Sequence, residues 1–286
     1  LGPYYQGASM ANVGLLYCPT ARDLLDRTVG AGLYSGLNLA DELWWSDAEV
    51  DTAHTLPYLA DYRGMCGALL SMHEVFDVLT PPFWTPDRLD NYTVLLLPSA
   101  AAVSDGHIST LRSWVEAGGT LVLTGGNPGL YDDRGGQRSV PELGVQLGVD
   151  PAESWAETQL GDGLVVSTSR RAGGEWYAAY PEPHALAETL SKVLDAHRTR
   201  PIGVTGPSTV FVDARRAPNG QTWVAIGNLT GLGSPGFSPQ TADVTLEVAD
   251  ATSAVIHEPG AEPRSVDLTG TLALTVSHTA VVRFSS

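Results

Sequence analysis

The side chains that could do chemistry in this sequence gather after one apolar stretch, Thr120–Thr124, which is typical of a buried strand. The glycine-rich loop Gly125–Gly129 follows it directly. The polar stretch Tyr131–Arg134 comes next, with two carboxylates and a guanidinium group. Ligands of open parallel sheets bind at the carboxyl ends of the strands. We therefore expect a functional site in the loops after Leu97 and after Thr124.

The glycine-rich loop is only weak evidence for a phosphate site. It has neither the lysine of the G-x-x-x-x-G-K-[ST] loop nor the order of the G-x-G-x-x-G fingerprint. Without those residues, a nucleotide is not the expected ligand.

Aromatic and polar residues allow a second interpretation, which is carbohydrate binding, although the structural alternatives given below are preferred. Aromatic rings can cover the apolar faces of sugars, and two tryptophans are adjacent in a segment without clean periodicity. The alternatives are that the tryptophans anchor a loop or pack at a subunit contact, and that the neighbouring carboxylates only support their own loop. The candidate carbohydrate-binding residues are Trp44, Trp45, Tyr131, Asp132, Asp133 and Arg134.

No metal site, cofactor or catalytic residue is predicted. The two cysteines, Cys18 and Cys66, belong to no metal or redox motif. They could form a disulfide or remain free as core residues. His73, near the end of a predicted helix, is interpreted as structural.

Composition excludes some partners. The chain has 286 residues and a net charge of −16, which argues against nucleic acid and anionic membranes. No apolar run is long enough to span a bilayer. The sequence starts at Leu1 without methionine, so we expect that something has been removed upstream. Lys192 is the only lysine, a bias that favours a bacterial source, and a cytoplasmic location is expected over a secreted one.

Hydrophobic periodicity predicts an α/β domain over residues 1–198, with a flavodoxin-like or amidotransferase-like parallel sheet. Helix Ser104–Ala117 should begin at a Ser104 or Asp105 cap and end at Gly118-Gly119. Leu164–Thr168 and Glu175–Tyr180 are predicted to form a hairpin. The other predicted strands are Val13–Cys18, Phe76–Leu79, Val94–Leu97 and Thr120–Thr124. The other predicted helices are Tyr58–Val75 and His184–His197, and Val140–Leu147 is predicted to be a short helix or a turn.

Residues 199–286 are predicted to form a small antiparallel β-sandwich. Short runs rich in valine and threonine alternate there with glycine, proline and asparagine, and no helical period occurs. The predicted strands are Thr209–Asp213, Thr222–Asn228, Thr241–Val248, Ser253–His257, Thr271–Val276 and Ala280–Phe284.

The order of elements in the first domain resembles that of class I glutamine amidotransferases. In those enzymes a cysteine follows a central strand in a strained turn between glycines. The corresponding turn, Leu123–Asn127, has the glycines but no cysteine or serine. No histidine follows Thr124 closely enough in sequence to activate it, so amidotransferase and peptidase activity are not expected.

Several motifs resemble the trimerisation domain of glycoside hydrolase family 42 β-galactosidases, and the β-domain resembles their small C-terminal domain. The resemblance implies an amidotransferase-like fold without its nucleophile, a homotrimer, and an upstream TIM barrel that carries the catalytic glutamates. This chain has no such barrel, so no catalytic residue carries over. The motifs are Tyr62-Arg63-Gly64, Phe76–Leu79, Tyr92–Pro98, Ser104-Asp105, Trp114–Gly119, Gly129–Asp133, Val224–Thr230 and Asp243–Leu246.

The function expected from the sequence is therefore that of a non-catalytic accessory and oligomerisation region of a β-galactosidase-like hydrolase. Two alternatives stay open. One is a stand-alone carbohydrate-binding protein, and the other is a hydrolase with an unrecognised site at the strand ends, for which fold alone is no evidence.

Overall fold

A computed structural model describes residues 2–28, 56–150, 152, 154–179, 185–231 and 240–285. Contacts divide the chain into two compact units. The α/β unit contains Val13–Ala68 and Val78–Arg198. The β unit contains Thr199–Ser286 together with Leu1–Asn12 and Leu69–Asp77. The predicted division into folding domains at residues 198 and 199 stays a prediction.

The secondary structure of the described residues is mixed. The strands are β1 (Ala8–Ser9), β2 (Val13–Leu16), β3 (Phe76–Leu79), β4 (Val94–Pro98), β5 (Thr120–Thr124), β6 (Ala156–Leu160), β7 (Gly163–Ser167), β8 (Gly203–Thr205), β9 (Val210–Arg216), β10 (Thr222–Asn228), β11 (Ala242–Glu247), β12 (Ser253–His257), β13 (Arg264–Asp267), β14 (Thr271–Val276) and β15 (Thr279–Ser285). The helices are α1 (Gly2–Tyr5), α2 (Pro19–Thr28), α3 (Pro57–Ser71), α4 (Pro86–Leu89), α5 (Asp105–Glu116), α6 (Glu142–Leu147), α7 (Ala172–Ala179) and α8 (Ala185–His197), with a 3-10 turn at Pro81–Phe83.

The sheet of the α/β unit has the strand order β3-β2-β4-β5-β7-β6. Strands β2, β4, β5 and β7 are parallel, and β6 closes one edge as an antiparallel strand. Every residue of β4 and β5 is buried. That is why these strands appear in the sequence as continuous apolar runs and not as alternating ones.

Helix α5 forms as its sequence predicts. The Ser104 hydroxyl accepts a hydrogen bond from the His107 amide and caps the first turn. Gly118 ends the helix with a φ of +113°, which a side chain would strain. The apolar stripe packs inward, and the Trp114 indole donates to the Leu89 carbonyl over 3.0 Å.

The predicted hairpin partner Glu175–Tyr180 is wrong, because Ala172–Ala179 is helix α7. The hairpin pairs β7 instead with Ala156–Leu160. The turn-like segment Arg170–Gly174 between two short runs favoured a hairpin, but packing decides otherwise. The Trp176 ring lies against Gly67 of α3, where an added Cβ would come within 2.6 Å of it.

Helix α3 is also shorter than predicted, since it ends at Ser71 and not at Val75. His73 takes the left-handed conformation with a φ of 55°, which stops the helix. Its two ring nitrogens lie 2.9 and 3.0 Å from the carbonyl oxygens of Val210 and Gly206. His73 therefore contributes to the structure of the β unit.

The β unit contains two antiparallel sheets, with strand orders β1-β9-β10-β15-β12-β13 and β14-β11-β8. Buried side chains alternate with partly or fully exposed ones along β9, β11, β12, β14 and β15, as expected where one face covers a core. All six predicted strands are present. The short strands β1, β8 and β13 were missed because they are too short for a period to show.

Candidate functional site at the carboxyl ends of the parallel strands

A buried polar network holds the carboxyl ends of β4 and β5 together. At its centre is Asp61 of α3, which is completely buried. Its Oδ2 accepts hydrogen bonds from the hydroxyls of Ser99 (2.7 Å) and Thr124 (2.8 Å). Its Oδ1 accepts from the amide of Gly173 at 2.8 Å. One carboxylate thus connects α3, both strand ends and the first turn of α7.

The geometry around Asp61 is tight. Ser99 follows β4 directly with a φ of 45°, a conformation that costs a non-glycine residue free energy. An added Cβ on Gly173 would come within 2.0 Å of the Asp61 carbonyl oxygen. Complete burial raises the pKa of Asp61, and hydrogen bonds from Ser99, Thr124, Gly173 and Gly174 oppose that shift.

This network lies at the carboxyl end of β5, beside the turn that has no cysteine or serine. Thr124 is completely buried and its hydroxyl donates to Asp61, so it does not face a substrate. Cys18 is no substitute. Its Sγ lies 3.1 Å from the Ala102 carbonyl oxygen, and burial raises its pKa to about 11, far from the thiolate that would react. Both Cys18 and Cys66 are free thiols.

A cavity of about 610 Å³ opens beside this network in the α/β unit. The loops after β4, β5 and β7 and one face of α2 surround it, so it lies where the strand order predicts a ligand. Its polar lining comes from Gly126, Asn127, Tyr131, Ser169, Arg170, Arg171 and Glu175.

The structure separates the residues that the sequence grouped as carbohydrate-binding. Tyr131 lines the cavity, whereas Asp133 and Arg134 are exposed and outside its lining. The Asp132 carboxylate accepts from the amides of Gly136 (2.7 Å) and Arg134 (2.9 Å), and these bonds lower its pKa. Asp132 therefore supports its own loop. Trp44 and Trp45 lie outside the described residues, and the carbohydrate-binding role of the group stays a prediction.

Sequence reasoning missed Asp61, Ser99 and Arg171. A signal for Asp61 was present, since it lies three residues after Tyr58 and four before Met65 on the apolar stripe of α3, and both neighbours are fully buried. A carboxylate on such a stripe needs buried donors. Nothing in the sequence shows that Arg171 reaches the same cavity as Tyr131.

The described residues contain no group of three His, Cys, Asp or Glu side chains arranged to hold a metal ion. Among the helices that the structure describes, none is long and apolar enough to cross a membrane.

The chain is similar to solved glycosidase structures. A β-galactosidase from Bacillus circulans sp. alkalophilus superposes with a TM-score of 0.61 at 13% identity, covering 98% of this chain and 42% of the other. A catalytic mutant of Gan42B, a GH42 β-galactosidase from G. stearothermophilus, superposes with a TM-score of 0.59 at 16% identity. The match covers 96% of this chain and 40% of the other. α-L-Fucosidase isoenzyme 2 from Paenibacillus thiaminolyticus superposes with a TM-score of 0.54 at 10% identity. The match covers 98% of this chain and 49% of the other.

The sequence by itself has no comparable match. No protein-family model matches it, and no curated protein matches it. At these identities the structural likeness shows the fold alone. This chain spans about 40% of the length of the GH42 β-galactosidases that it matches. The chain therefore has the fold of one portion of those enzymes.

Proposed function

We propose that this chain is the non-catalytic accessory region of a β-galactosidase-like glycoside hydrolase, with the catalytic barrel outside these 286 residues. One observation carries the proposal. Nearly the whole chain, 96–98%, superposes on 40–42% of GH42 β-galactosidases across both of its units. A match over two units of different architecture is more specific than a match to one common fold.

The strand ends of the α/β unit support a non-catalytic role. An acyl-transfer site needs an exposed nucleophile, a base within hydrogen-bonding distance and oxyanion donors. Here the Thr124 hydroxyl is buried against Asp61, and the Gly173 amide is already bound to the same carboxylate. The groups that could react are used to hold the fold.

We further propose that the α/β unit is an amidotransferase-like trimerisation domain. Its strand order places β2 between β3 and β4, which is the flavodoxin-like arrangement. The motif resemblance adds the homotrimer and the upstream TIM barrel as partners. The charge of −16 disfavours nucleic acid and membranes as further partners.

The intact mass of the native polypeptide in its source cells tests the accessory role. From the share of the galactosidase chains that is covered, we expect about two and a half times the 30.2 kDa of this chain. A native species of 30.2 kDa would contradict the proposal.

Sedimentation velocity on the purified chain tests the trimer. A single species of three times the chain mass is expected at micromolar concentration, and a monomer would refute trimerisation. The same preparation should not hydrolyse a chromogenic β-galactoside. Hydrolysis that disappears in Asp132→Ala would favour the alternative of a hydrolytic site at the strand ends.

A second candidate function, carbohydrate binding, is favoured by one observation, which is that Tyr131 lines the cavity. An aromatic ring beside polar groups is a common arrangement for sugar recognition. Failure of the wild-type chain to bind any saccharide would remove this candidate.

A further inference from the structure

The cavity at the strand ends has the size of a small-molecule site. Its volume of about 610 Å³ lies within the range of roughly 300–1,000 Å³ that is usual for ligand pockets. It is built from loops that follow three neighbouring strands. The Gly125 amide donates to the Arg170 carbonyl at 2.9 Å and so ties the loop after β5 to the loop after β7.

Two adjacent arginines line this cavity although basic residues are scarce, with 16 Lys and Arg against 32 Asp and Glu in the chain. Arg170 is neutralised by Glu175 through a two-bond ion pair, with Nε–Oε1 at 2.9 Å and Nη2–Oε2 at 2.6 Å. Arg171 is exposed and has no acidic partner among the residues that the structure describes. The Arg171 guanidinium is therefore available for an anion.

The loop after β5 offers backbone donors to the same cavity. Gly125 and Asn127 have φ angles of +83° and +58°, on either side of Gly126. In the described part of the chain, the amides of Gly126 and Asn127 donate to no protein acceptor, and both residues line the cavity. Successive free amides in such a turn form a concave anion site.

The remaining residues that line the cavity suit a compact ligand with hydroxyl groups. Leu25, Leu130 and the Tyr131 ring provide apolar surface, while Ser169 and the Asn127 amide can exchange hydrogen bonds with hydroxyl groups. Arginine favours planar carboxylates because its fork of N–H groups matches both oxygens.

From these features we propose that the cavity binds a small hydroxylated carboxylate of hexuronic acid size. The carboxylate contacts Arg171 and the amides of Gly126 and Asn127, and the hydroxylated ring lies against Tyr131. This ligand site is independent of the accessory role, which depends on the native mass and not on ligand binding.

Isothermal titration of the purified 286-residue chain with galacturonate tests the site, with galactose and galactose 6-phosphate as comparison ligands. We expect saturable binding of galacturonate and at least about tenfold weaker binding of galactose, because the neutral sugar lacks the charge-assisted hydrogen bonds. Arg171→Gln should weaken galacturonate binding at least about tenfold. The matched control Arg264→Gln makes the same charge change at an exposed position in the β unit and should leave binding unaltered.

Amide spectra of the deuterated chain give a second readout that does not need a variant. Galacturonate should shift the Gly126 and Asn127 resonances in wild type, and the shifts should fade in Arg171→Gln. Three results would overturn the proposal: no binding of galacturonate, equal binding of galactose, or binding that Arg171→Gln leaves intact. Tighter binding of galactose 6-phosphate that depends on Arg171 would replace the carboxylate with a phosphate ester and overturn the assigned ligand class.

Discussion

Two carboxylates near the carboxyl ends of the parallel strands have opposite environments. Asp61 is completely buried and accepts hydrogen bonds from Ser99 after β4, Thr124 of β5 and Gly173 of α7, which lie up to 112 residues away. Asp132 is partly exposed, and within the described part of the chain its hydrogen-bond donors are the amides two and four residues further along its own loop. Asp61 holds distant parts of the α/β unit together, whereas Asp132 shapes one turn.

This difference shows how the described residues at these strand ends use their polar groups. The groups nearest to where a nucleophile would stand, namely the Thr124 hydroxyl at the end of β5 and the amides at the start of α7, are bound to Asp61. Such a network is stable only when every member is satisfied. The free donors of this edge are instead in the neighbouring cavity.

The largest effect in this comparison is expected for Asp61→Ala. The change leaves the Ser99 and Thr124 hydroxyls and the Gly173 amide without their buried acceptor. We expect the free energy of unfolding to fall by about 3–4 kcal/mol. Urea denaturation of the purified chain measures it. A loss no larger than that of an exposed aspartate would mean that the network contributes little.

A smaller effect is expected when the pH is changed, because the stability contributions of the two carboxylates depend on pH with opposite signs. Burial raises the folded-state pKa of Asp61, so its contribution to stability is complete below the unfolded pKa of about 3.9 and is lost as pH rises through the folded pKa. Backbone hydrogen bonds lower the pKa of Asp132, so its contribution is present above the unfolded pKa and is lost as pH falls through the folded pKa.

Urea titrations from pH 3.5 to 7 separate the two cases. Relative to Asp61→Asn, wild type should gain stability as the pH is lowered. Relative to Asp132→Asn, it should lose stability. The opposite result for Asp61 would be that wild type loses stability relative to Asp61→Asn as the pH is lowered. It would show that the four hydrogen-bond donors, and not burial, dominate the Asp61 pKa.

The smallest effect is expected for Asp132→Ala, because solvent and neighbouring groups can replace its two backbone hydrogen bonds. The melting temperature should fall by no more than about 2 °C. Scanning calorimetry of Asp132→Ala and Asp61→Ala under the same conditions compares the two melting temperatures directly. A fall as large as that of Asp61→Ala would mean that the loop at Asp132 is part of the folding core.

Much of the fold could be predicted from the sequence, because the elements with strong periods depend on local patterning. The Ser104 cap and stripe of α5, the buried strands β4 and β5, and six strands of the β unit are examples. The prediction was wrong at Glu175–Tyr180, where a local hairpin signal competed with packing of Trp176 on α3. Short strands such as β8 carry too few residues for a period.

The candidate site was harder to predict from the sequence than the fold. The sequence by itself determined which loops follow the parallel strands and that the turn after β5 has no cysteine or serine. Only the tertiary structure decided that Asp61 of α3 binds the Thr124 hydroxyl beside that turn and that Arg171, Tyr131 and Gly126 line one cavity. The physical reason is the sequence separation between the residues that interact. Periods and caps arise from neighbours a few residues apart, whereas a buried network and a cavity depend on side chains that meet only after the sheet has formed.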